Sequence, residues 1–187
     1  LPGPMQVAGT GIHTSTQDLN QDGRTEIYVL ANQRLLIAFD KTIVWRSPPD
    51  WRVTSFHVAD VTHDSQPDML LLVWKKGSFG QARPFWHTGR DTSLTCHLYV
   101  FNLIDRHLKP VWMSSALDRP IDSMTITDID GDGRNELLVA EGCYWWQLFS
   151  GSCGSRAGDV AAWRWQDWGF YRVDGATAQN GQKKARP

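Results

Sequence analysis

Three short stretches carry the residues best suited to chemistry: "TQDLNQDGRTEIYV" (16–29), "VADVTHDSQPDMLL" (58–71) and "TITDIDGDGRNELL" (125–138). In each, oxygen-bearing side chains fall at every second position before an apolar run. Calcium is a hard cation that takes six to eight oxygens at about 2.3–2.6 Å, and a tight loop of this pattern can supply them. In the first loop the oxygens are those of Asp18, Asn20 and Asp22, the backbone carbonyl of Arg24, and Glu26. In the third they are Asp128, Asp130 and Asp132, the carbonyl of Arg134, and Glu136. Gly23 and Gly133 allow the sharp turn. Carboxylates crowded this closely repel one another unless a cation sits among them. The alternative is a pair of Asp-Gly turns with no ion.

The second loop offers Asp60, Thr62, Asp64 and Asp68, with Ser65 in place of the glycine and Pro67 before the last acid. A hydroxyl is a poorer ligand than a carboxylate, so this site is degenerate. It either holds calcium weakly or survives as a turn closed by hydrogen bonds alone. A helix–loop–helix calcium site would need a bidentate Glu at its twelfth position and helices on both sides. Counted from Asp18 and Asp128, the twelfth residues are Val29 and Val139, both inside strand-forming runs. That reading fails on spacing and context together.

The elements that position these loops form a repeat. The first acids, Asp18, Asp60 and Asp128, are 42 and 68 residues apart, and the shorter interval suits one four-stranded blade. The chain therefore reads as a single domain, 1–187, with blade-like units at about 12–50, 51–118 and 119–174 and a polar tail at 175–187. The longer interval is explained by an insertion at 75–95 in the second unit. Each acidic turn is followed by short runs rich in Val, Ile, Leu and aromatics, broken by Gly, Asp, Asn or Pro. In the third unit "YWWQLFS" and "VAAWRWQDWGFYRV" read as its remaining strands. No window gives a convincing amphipathic helix. Several runs are apolar on both faces, with Ile27 and Val29 pointing one way and Tyr28 and Leu30 the other, as in a sheet sandwiched between sheets. The expected fold is all-β, a β-propeller-like array of four-stranded antiparallel blades.

The pattern D-x-[D/N]-x-D-G-x-x-[D/E] before an apolar strand resembles the calcium loops of FG-GAP and VCBS-type repeats of integrin-like β-propellers. The resemblance spans roughly residues 12–173 and matches the first and third loops at every ligand position. It implies a propeller-like arrangement, a calcium ion in each intact loop, and an extracellular or cell-surface setting. Both matching loops end in Glu where Asp is commoner, and the second loop departs as described.

The rest of the sequence narrows the function classes. A net charge of −1 over 187 residues supplies no basic field for nucleic acid. The longest apolar run, "MLLLVW" at 69–74, falls far short of the ~18–20 residues needed to span a bilayer. There is no G-x-S-x-G elbow, H-E-x-x-H pair, phosphate-binding glycine loop or C-x-x-C pair, and the six histidines are dispersed. Cys143 and Cys153 are placed either to clip a loop in an oxidising compartment or to remain separate thiols. Within the insertion, Arg83, Phe85, Trp86 and Arg90 resemble a contact surface for a protein or a sugar, the alternative being a loop folded over its own blade. Trp163, Trp165 and Trp168 read as blade core or as an aromatic surface.

Three units leave the outer sheets with open faces. Either the chain is part of a longer protein, or a further blade is unrecognised, or copies complete one another. The expected function is a non-enzymatic, calcium-stabilised module for adhesion or assembly, with a protein partner or self-association into an oligomer or filament. The alternatives are a carbohydrate-binding or carbohydrate-active propeller using the insertion, and a scaffold fragment of a larger protein.

Overall fold

The computed structural model describes residues 12–79, 85–86, 88–153 and 159–173. The described chain is all-β, with three four-stranded antiparallel sheets, each made of four consecutive strands. The first holds β1 (His13–Gln17), β2 (Glu26–Ala31), β3 (Arg34–Phe39) and β4 (Thr42–Arg46). The second holds β5 (Arg52–Ala59), β6 (Asp68–Lys76), β7 (Leu94–Ile104) and β8 (His107–Met113). The third holds β9 (Ile121–Thr127), β10 (Glu136–Glu141), β11 (Val160–Gln166) and β12 (Gly169–Val173). Among the described residues the sheets do not close into a ring or barrel.

The second sheet packs on both faces, which is why its central strands read as unbroken apolar runs. Along β6, Met69, Leu71 and Val73 join Tyr28, Leu30, Leu35 and Ile37 of the first sheet. The intervening Leu70 and Leu72 join Leu137 and Val139 of the third. β7 divides in the same way, Tyr99 and Phe101 to one side and Leu98 and Val100 to the other. Each such fully buried side chain contributes about 1.5–3 kcal/mol of transfer free energy. Aromatic contacts join the first two sheets; Tyr28 stacks on Phe56 at 5.5 Å and Trp45 lies 6.3 Å from Phe101. Thr95, His97 and the Gly77 carbonyl satisfy one another inside this otherwise apolar sheet.

Two sequence expectations are corrected. The two-sided burial read from β2 holds for the second sheet but not the first. Tyr28 and Leu30 are buried there, whereas Ile27 is 39% exposed, because the first sheet has one described neighbour. The run "YWWQLFS" is not a strand but contains a short helix, α1 (Trp145–Ser150). Gln147 folds back so that its Oε1 accepts the Tyr144 N–H at 2.9 Å, and Gly151 ends the helix at φ 70°, so local capping overrides the aromatic strand propensity. The remaining strands are then β11 and β12, joined by a turn at Asp167–Trp168. The insertion at 75–95 carries paired strand at both ends, since β6 continues to Lys76 and β7 starts at Leu94. Asp91 closes its base by accepting the Ser78 N–H at 2.6 Å.

Candidate metal centre

The acidic loops are the connections β1–β2, β5–β6 and β9–β10, so all three lie at the same end of the stacked sheets. They share one hydrogen-bond scheme. The first acid accepts the N–H five residues on: Gly23 to Asp18 Oδ2, Ser65 to Asp60 Oδ2 and Gly133 to Asp128 Oδ2, each at 2.9 Å. The acid four residues along accepts from the N–H two beyond it, at 2.9 Å for Asp22 and Asp132 and 2.8 Å for Asp64. The last acid reaches back to the residue after the first, so Glu26 binds the Leu19 N–H, Asp68 that of Val61, and Glu136 that of Ile129, all at 2.9 Å. Backbone dihedrals repeat as well. Gln21, His63 and Gly131 occupy one left-handed position, and Gly23, Ser65 and Gly133 another. The second loop therefore keeps the shape of its neighbours although Ser65 sits at φ 68° without being glycine.

The last acids are almost completely buried, with Glu26 and Glu136 at 1% and Asp68 at 0% exposure. Burial raises the pKa of Glu26 above its ordinary 4.5, assisted by the charges of Asp18 and Asp22 and opposed by the Leu19 N–H. Burial likewise raises that of Asp68, assisted by Asp64 and opposed by Val61 and Thr62. Both carboxylates are thus held where a neighbouring positive charge would stabilise them.

What faces them from the next strand differs among the three. Opposite Glu136, Arg164 of β11 donates from Nε at 2.8 Å, and its Nη2 reaches Asp130 Oδ2 at 2.5 Å. That hydrogen bond holds the Asp130 carboxyl below its ordinary range. Opposite Asp68, the Asn102 amide, turned to present its nitrogen, donates to Oδ1 at 2.6 Å. In the first sheet the corresponding neighbour of Glu26 is Phe39, over which Arg106 stacks at 4.2 Å. Nothing in the loop motif signals Arg164 or Asn102; they are found only by following the strand register.

Asp128, Asp130 and Glu136 bring one oxygen each within 4.8 Å of one another, a trio fit to hold a metal ion. The hard oxygen donors suit calcium or another hard divalent cation. Such an ion would compete with Arg164 for two of these carboxylates. Asp18, Asn20 and Asp22 occupy the corresponding places in the first loop, and Asp60 and Asp64 do so in the second. The backbone of Arg24 and Arg134 follows the same turn, with the Arg24 side chain over Phe39.

Neighbouring loops are also tied together. Gln21 Nε2 donates to the Ser65 carbonyl at 3.3 Å, and Asn135 Nδ2 to the Asp60 carbonyl at 2.8 Å. His63 Nε2 lies 3.2 Å from the Asn135 carbonyl. The three acidic turns therefore form a continuous row. Of the contact residues expected in the insertion, Phe85 and Trp86 are 91% and 71% exposed and pack edge to face at 4.9 Å. Arg90 is exposed, and Arg83 lies outside the described residues. Trp163 and Trp165 pack against the core between the second and third sheets, while Trp168 is 71% exposed. A disulfide joins Cys143 to Cys153 and encloses α1.

Fold and site together define a class: an all-β protein of stacked four-stranded sheets entered through acidic turns, the third of which brings together a trio fit to hold a metal ion. No protein-family model matches the chain, and no curated protein matches it either.

Proposed function

We propose that the protein is a non-enzymatic, calcium-stabilised β-sheet repeat module of propeller-like organisation that acts in adhesion or assembly. The observation that carries this reading is the row of three isogeometric acidic turns, each ending in a buried carboxylate. Calcium seated there offsets the crowding of negative charge and stabilises the folded state by mass action. Because adjacent turns are hydrogen-bonded, ordering one restrains the next.

The outer faces support assembly. Ile27 and Ile43 on the first sheet and Tyr171 and Val173 on the third are each 36–42% exposed. The two faces differ in composition, so copies meeting through them would associate head to tail, an arrangement that extends unless its rotation closes. The enclosed disulfide favours an oxidising, extracellular setting. Light scattering in calcium and in EDTA tests the reading. A larger species in calcium is expected, and a monomer of unchanged mass and stability in both buffers refutes it.

A further inference from the structure

The wedge between the second and third sheets stays open along their outer strands, β8 and β12. The cleft there has a volume of about 570 Å³, within the span typical of small-ligand sites. One wall is aromatic. Trp112 stands edge-on to Trp165 at 6.2 Å and to Phe170 at 5.7 Å, which fixes its ring. Gly169 allows this close approach, since a Cβ there would lie 3.0 Å from Trp112 Nε1. Beside it the exposed indole of Trp168 is steadied edge-on by Tyr171 at 6.0 Å.

Next to it on the third sheet the lining is polar, since Arg172 shares a face of β12 with Phe170. Glu141, 3% exposed, accepts Arg172 Nη1 on both carboxylate oxygens at 3.0 Å, and Arg119 Nε lies 3.8 Å away. With Asp118, the lining carries two negative and two positive side chains. We propose that this cleft binds a neutral saccharide. An ionic ligand would meet no net opposite charge. A wholly apolar one would strip water from the Arg172–Glu141 pair without replacing its hydrogen bonds. A sugar offers both requirements at once, an apolar C–H face for the indoles and hydroxyls that donate to Glu141 and accept from Arg172. This goes beyond the assembly reading and stands on the cleft alone.

The test is titration of the full chain with cellotriose, maltotriose and triacetylchitotriose, followed by tryptophan fluorescence and calorimetry. At least one should give a saturable change. Trp168→Ala, which removes an exposed ring and little core packing, should weaken binding about tenfold. Arg172→Gln should also weaken it, whereas Trp86→Ala and Trp145→Ala, outside the cleft, should bind as the parent does. The proposal is overturned if no trisaccharide binds, if Trp168→Ala binds normally, or if Trp86→Ala abolishes binding. Trigalacturonate and a tripeptide are titrated alongside, and binding confined to either overturns it equally.

Discussion

Replacing Ser65 by glycine should stabilise the protein, and replacing Gly133 by serine should destabilise it. The two residues hold the same place in equivalent turns, at φ 68° and φ 85°. A side chain in this left-handed region costs about 1–2 kcal/mol. Glycine gives back about 0.4–1 kcal/mol by loosening the unfolded chain. At the middle of these ranges the net gain from Ser65→Gly is about 0.8 kcal/mol, a rise in Tm of roughly 2–3 °C for a chain of this size. At Gly133 a Cβ would meet nothing within 4 Å, so steric conflict adds nothing and the loss should mirror the gain. Thermal unfolding followed by circular dichroism in EDTA isolates this backbone effect from any cation. A fall in Tm for Ser65→Gly, or an unchanged Tm for Gly133→Ser, would show that the three turns do not share one conformation in solution.

Other outcomes follow from single contacts. Asp128→Ala strips the acceptor from the N–H groups of Gly131, Asp132 and Gly133 and should cost about 1–2 kcal/mol even without metal, measured by urea unfolding in EDTA. Arg164→Gln removes the guanidinium from Asp130 and Glu136, so calcium titrated calorimetrically should bind more tightly than to the parent; weaker binding would mean that Arg164 assists the site. Opening the loop closed by Cys143–Cys153, ten residues apart, should cost about 2.5 kcal/mol in a Cys143→Ser/Cys153→Ser variant, read from its unfolding midpoint. Burial holds the pKa of His97 below its ordinary 6.5, and the Lys75 charge lowers it further. Its contribution to stability is therefore complete above pH 6.5 and is lost as the pH falls through the depressed folded value. Denaturation midpoints measured downward from pH 7 should decline, and His97→Gln should flatten that decline.

The sequence alone determined the acidic turns, the residues that line them and most of the strands. These features are local: oxygen-bearing side chains at alternate positions, a left-handed turn residue and two-residue alternation are all written within about ten consecutive residues. Locality failed at "YWWQLFS", where one glutamine folding back and a terminal glycine outweighed the aromatic run. What stands opposite each buried acid, and which turns touch, follow from how the strands pair and the sheets pack. Arg164 meets Asp130 from 34 positions away, and Asn135 reaches the Asp60 carbonyl across 75. The cleft between β8 and β12 likewise depends on how the sheets stack. Such contacts arise from strand register and sheet packing together, and no periodicity within a single strand encodes either.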